Sequence, residues 1–135
     1  MSTAVYIKSW RKEYKKISKV YCKAISNDIY MNSEGFNHLI YKRGHRRNLR
    51  EIHYRLELIP FIQPTISKSK NIVEVRSQFI NIKGKSKEII FVELNYIDNR
   101  NGLIAVIIKK TGSSKHWVFQ SIMRKGMHNR QKTSG

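Results

Sequence analysis

Apolar residues near the start of the chain fall at Trp10, Tyr14, Ile17, Tyr21 and Ala24, the 3-4-3-4 step of an amphipathic helix. Ser9 stands where an N-cap would, so the pattern predicts a helix over 9–24. Lys8, Arg11, Lys12, Lys15, Lys16, Lys19 and Lys23 make its other face basic. Residues 27–31 read as a short strand or an extended link, and Asn32-Ser33-Glu34-Gly35 as a turn and cap. Phe36, Leu39 and Ile40 then give the apolar face of a short helix that Gly44 would end. Leu49, Ile52, Leu56 and Ile59 predict a third helix over 48–59, closed by Pro60 and Pro64.

The second half changes period. Residues 71–82, 88–96, 103–110 and 116–123 are four β-rich runs. Lys83-Gly84-Lys85-Ser86, Asp98-Asn99-Arg100-Asn101-Gly102 and Thr111-Gly112-Ser113-Ser114 connect them, and such short turn-rich links favour antiparallel hairpins. Ile104–Ile108 is apolar on both parities, as a central strand would be. In the last run, Trp117, Phe119, Ser121 and Met123 share one face and His116, Val118, Gln120 and Ile122 the other. The expected fold is α+β, with N-terminal helices packed on a four-stranded antiparallel β-meander in a single domain over 1–123. Residues 124–135, with Arg124, Lys125, Arg130 and Lys132, read as a flexible basic tail.

Composition narrows the function. A chain of 135 residues suits one domain. Its 27 Lys+Arg against 9 Asp+Glu give a net charge of +18, which repels itself and calls for a polyanionic partner. Cys22 is the lone cysteine, so neither a disulfide framework nor a cysteine zinc cluster is available. The carboxylates are scattered, which argues against a two-metal nuclease, and no metal or cofactor is expected. No stretch approaches ~18 apolar residues, so no stable membrane insertion is expected, nor is a signal peptide.

The densest chemistry lies in 35–47. If this segment is helical, His38, Tyr41, Lys42 and His45 share a stripe opposite Phe36, Leu39 and Ile40. An imidazole beside ammonium and guanidinium groups suits phosphodiester chemistry, since it moves a proton near neutral pH while the cations stabilise developing charge. The same pattern also fits a surface histidine on a phosphate-binding face.

Three stretches carry a resemblance: Ser33-Glu34-Gly35-Phe36-Asn37-His38-Leu39 with the basic cluster Lys42-Arg43-Gly44-His45-Arg46-Arg47; Arg55-Leu56-Glu57-Leu58-Ile59-Pro60; and His116-Trp117-Val118-Phe119-Gln120-Ser121-Ile122 closing a meander. Together they resemble the metal-independent endoribonuclease toxins of the barnase/EndoU/colicin/RelE superfamily, the phage and contact-dependent branches above all. The resemblance spans roughly 33–123 and omits the N-terminal extension. It implies a helix–sheet cleft with His38, Arg43, Arg46 and Ser121 as catalytic residues. Lys42, Arg47, Tyr41, Arg50 and His45 would bind substrate, with His53, His116 and Gln120 in reserve. It implies RNA as substrate, transfer RNA being one candidate, and 2′,3′-cyclic phosphate products. An acidic antitoxin or immunity protein would neutralise the toxin. Action would be in the cytoplasm, by the chain itself or as part of a larger secreted toxin. The competing readings are a non-catalytic RNA- or DNA-binding module and a membrane-surface protein using the basic helix.

Overall fold

In a computed structural model, which describes residues 2–112 and 114–125, the first helix, α1, spans Thr3–Ile17. Ser2 caps it by accepting from the Val5 N–H at 3.2 Å. The helix therefore starts and stops earlier than the 9–24 expected. Ser18, at φ 61°, breaks it, and Lys19–Cys22 (β1) pairs antiparallel with Asn27–Tyr30 (β2). Val20, Cys22 and Ile29 enter the core while Tyr21 is 56% exposed, so period 2 takes over where the helical step continued to 21 and 24.

Helix α2 spans Ser33–Ile40, with Asn32 Oδ1 accepting from the Gly35 N–H at 2.8 Å. The expected continuation to Gly44 fails. Tyr41–Lys42 (β3) folds back on His45–Arg46 (β4) about Arg43 and Gly44, whose φ values of 53° and 79° make the left-handed pair of a two-residue hairpin turn. Helix α3 is Leu49–Leu56, capped by Asn48. Beyond it lie a 3-10 turn at Ile59–Phe61 and a fourth helix, α4, at Ile62–Lys68. Pro60 and Pro64 open these elements rather than closing α3, because a first turn tolerates a missing N–H.

Strands β5 (Ile72–Ile82), β6 (Lys85–Asp98), β7 (Gly102–Thr111) and β8 (Trp117–Arg124) form the expected succession of antiparallel hairpins. The sheet is wider than the four strands expected. It has six, in the order β1-β2-β8-β7-β6-β5, with β2 parallel to β8 through Ile29/Trp117 and Tyr30/Val118. The fold is α+β, and one core joins Tyr14, Phe36, Leu39, Ile52, Leu56 and Ile62 to Val92, Leu94, Ile104, Val106, Ile108, Phe119 and Ile122. Strand β5 is an edge exposed on both faces. Among the described residues no helix is long and apolar enough to cross a membrane.

Two departures shape the site. Ile107 pairs with Ser121 but Ile108 with Phe119, so Gln120 is an extra, bulged residue in β8. Phe119 and Ile122 are consequently both fully buried, and the simple alternation expected for this strand breaks at Gln120. The first two residues of the expected 124–135 tail are also held in the fold. Arg124 ends β8, and the Lys125 ammonium holds the buried Glu93 carboxylate at 2.8 Å. Residues 126–135, including Arg130 and Lys132, lie outside the described residues.

Gly35 sets how closely α2 approaches the sheet. A Cβ there would stand 2.5 Å from the Phe119 carbonyl oxygen and 2.7 Å from the Tyr14 hydroxyl, which itself donates to the Asn32 carbonyl at 2.8 Å. Gly35→Ala is expected to cost about 1–3 kcal/mol by overpacking. Chemical denaturation checks this, and an unchanged midpoint contradicts the close approach.

Candidate active site

Helix α2 presses on β8, so side chains on its flank meet the sheet face opposite the main core. Ile104, Val106 and Ile108 point into the core, and Lys109 alternates with them onto that other face. Lys109 is only 9% exposed, and its ammonium is hydrogen-bonded to the Glu34 carboxylate. One helical turn on from Glu34, His38 Nε2 lies 3.0 Å from Gln120 Nε2 and 3.8 Å from Glu34 Oε1. The bulge at Gln120 lets its side chain reach the imidazole. Arg47 closes the cluster from below, its Nε donating to the His38 carbonyl at 3.1 Å.

The charges set the protonation states. Burial pushes the His38 imidazole below its ordinary value, the Lys109 and Arg47 cations add to this, and Glu34 opposes it. The Lys109 hydrogen bond is the main cause holding the Glu34 carboxyl below the usual range. His38 is therefore neutral at pH 7, and its approach to Glu34 is not an ion pair there. Gln120 engages Nε2 and leaves Nδ1 for another partner. An amide nitrogen facing Nε2 places the ring proton on Nδ1, whereas an amide oxygen there places it on Nε2 and makes Nδ1 the free base. In the first orientation Gln120 Oε1 is buried without a hydrogen bond.

His38 opens into a cavity of about 210 Å³ with Glu34, Asn37, Tyr41, Arg43 and Gly44. Tyr41 and Arg43 arrive through the β3–β4 hairpin, not through a continued helix, so the expected stripe of His38, Tyr41, Lys42 and His45 does not exist. Lys42, His45 and Arg46 instead line a second cavity of about 340 Å³ with Arg47, Asn48 and Glu51. Arg47 and Arg55 both grip Glu51 at 3.1 Å. The Arg55 Nη1 donates to the Ser121 hydroxyl at 3.3 Å and to the Ile122 carbonyl at 3.1 Å. Ser121 thus does not line the His38 cavity as expected, because the bulge and Arg55 place it in a neighbouring contact. Arg50 is exposed on α3. His53 stacks on Tyr6 with ring centroids 4.2 Å apart, a packing role. His116 meets the Tyr30 ring edge-on at 4.9 Å, and Gln120 goes to His38 instead of sharing a face with His116.

Three residues of the cluster and its neighbouring contact are not singled out by the sequence pattern. Glu34 reads there as part of a turn and cap, Lys109 only as a residue of the 103–110 β run, and Arg55 only as part of the Arg55–Pro60 stretch. A signal existed for Glu34, four residues ahead of His38 on one helix. Among the described residues no three His, Cys, Asp or Glu side chains converge as a metal site.

Compared with family models, curated proteins and solved structures, the chain matches none. Its chemistry is thus read from the cluster itself. The imidazole is expected to titrate below its ordinary value of about 6.5, and Gln120→Glu should raise it by placing a carboxylate on Nε2. Proton NMR of the histidine ring signals checks both. A wild-type midpoint above 6.5, or no upward shift in the variant, contradicts this account of the ring's surroundings.

Proposed function

We propose that this chain is a metal-independent endoribonuclease of the toxin superfamily it resembles, with His38 as its acid–base residue. The observation that carries the reading is the half-exposed, neutral His38 imidazole, fixed at Nε2 by Gln120 and opening into a cavity beside Arg43 and Tyr41. A neutral imidazole accepts a proton at pH 7 without first losing one, which suits a general base. The mechanism needs the Gln120 amide turned from its position in the structure, so that its otherwise unpartnered oxygen accepts from Nε2–H and Nδ1 takes the ribose 2′-OH proton. The 2′-oxygen attacks the adjacent phosphorus and the P–O5′ bond breaks. The products are a 2′,3′-cyclic phosphate and a 5′-OH, the departing oxygen taking its proton from water. Arg43 and the Tyr41 hydroxyl supply hydrogen bonds to the phosphate.

The +18 charge supports RNA as the polyanion and an acidic antitoxin or immunity protein as the neutralising partner. Action in the cytoplasm, by the chain itself or after delivery within a larger secreted toxin, belongs to the same reading. RNA carrying 2′-O-methyl groups throughout tests the chemistry, since it lacks the nucleophile. Binding without cleavage is expected for it, and cleavage at the same sites as unmodified RNA rules out the 2′-OH mechanism.

A second reading, a non-catalytic RNA- or DNA-binding module, is favoured by one specific observation. The imidazole already has side-chain company at Nε2, as a structural histidine has. On that reading unmodified RNA is bound and never cut.

A further inference from the structure

A second basic constellation lies away from His38. The C-terminal end of α4, the β1–β2 turn and the end of β6 enclose a cavity of about 540 Å³ lined by Lys23, Ser67, Lys68, Ser69, Lys70 and Tyr96. Three lysines from two segments line it, Lys68 and Lys70 at the end of α4 and Lys23 in the β1–β2 turn, and the lining includes no carboxylate. Lys68 complements the carbonyl end of α4 and stands 5.5 Å from the Tyr96 ring centroid, a cation–π contact that holds its stem in place. The helix end gives no reason for Lys23, which comes from the β1–β2 turn. With no carboxylate in the lining, an anion would be the counter-charge to these lysines, and a phosphate group supplies both the charge and several acceptor oxygens.

We propose that Lys23, Lys68 and Lys70, with the Ser67 hydroxyl, form a second phosphate-binding site separate from the His38 cavity. Tyr96 shares the parity of core residues Val92 and Leu94, whereas Lys109 beside His38 faces the other side of the sheet. Along the strands, Tyr96 pairs with Ile104 and Phe91 with Lys109. Those five steps separate the two places by about 17 Å at roughly 3.4 Å per residue. A single phosphate therefore cannot serve both. The ligand is either a free polyphosphate, such as that of a nucleotide, or the backbone of a nucleic acid.

The test compares wild type with a site variant, Lys23→Gln/Lys68→Gln/Lys70→Gln, and a charge-matched control, Lys83→Gln/Lys85→Gln/Lys87→Gln, on the exposed β5–β6 hairpin. Melting temperatures confirm that both variants fold. Calorimetry with sodium tripolyphosphate is expected to show at least about a tenfold affinity loss in the site variant and about twofold or less in the control. Equal losses, or none in the site variant, overturn the proposal in favour of diffuse electrostatics. A 2′-O-methyl RNA dodecamer separates the sources. A parallel loss of its binding identifies the nucleic-acid backbone as the ligand, and loss with tripolyphosphate alone identifies a free polyphosphate. Neither readout involves cleavage, so failure of the ribonuclease reading leaves this result standing.

Discussion

His38→Ala is expected to lower RNA cleavage by about 10²–10⁴ while leaving fold and RNA affinity close to wild type. The imidazole is half-exposed, so its removal opens no core cavity, and its loss leaves Lys109 on Glu34 and Arg47 on Glu51. The affinity that depends on phosphate contacts stays with the cations. The rate falls because no other group at that position is neutral at pH 7 and able to take a proton. The pH profile adds a signature with a definite sign. Burial and nearby cations lower the His38 pKa, so the base form is lost as pH falls, and the acidic limb of the wild-type rate lies below about 6.5. Single-turnover cleavage of a labelled RNA across pH checks both, and full activity in the alanine variant contradicts the assignment.

The second large effect concerns salt. Lysines and arginines outnumber acids 27 to 9, and those of α1, β3, β4 and α3 are mostly exposed. If RNA meets about 6–10 of these cations, its affinity falls by roughly 10³–10⁵ between 50 and 200 mM salt through counterion release. Fluorescence anisotropy with a non-cleavable RNA measures the slope. A nearly flat dependence means that the excess charge has another purpose. His38→Ala should share the wild-type slope, since a neutral imidazole releases no counterion.

The meander was legible because its information is local. Gly84 and the Asp98–Gly102 segment mark turns, and each hairpin pairs neighbours in the chain. The other two strands were illegible for the opposite reason. β1 and β2 have four residues each, and β2 joins the sheet through two parallel pairs with β8, nearly ninety residues later. Trp10, Tyr14 and Ile17 do share the docked helix face, but Ser18 ends the helix before Tyr21, and no turn residue such as glycine or proline announces it. At the site, His38 and Arg43 are brought together by a hairpin that reads as a helix end. Gln120 reaches His38 through a bulge, and no feature of the strand pattern announces that extra residue. Lys109 is visible only once β7 has a partnered face, since its importance comes from what α2 lays across it.

Incubation of the purified protein with total RNA in EDTA, followed by mapping of the fragment ends, decides whether His38 drives metal-independent RNA cleavage. Wild type is expected to give discrete fragments bearing 2′,3′-cyclic phosphate and 5′-OH ends, and His38→Ala almost none. Clean RNA binding with no fragments in any buffer, or fragments that persist unchanged in His38→Ala, would contradict this expectation.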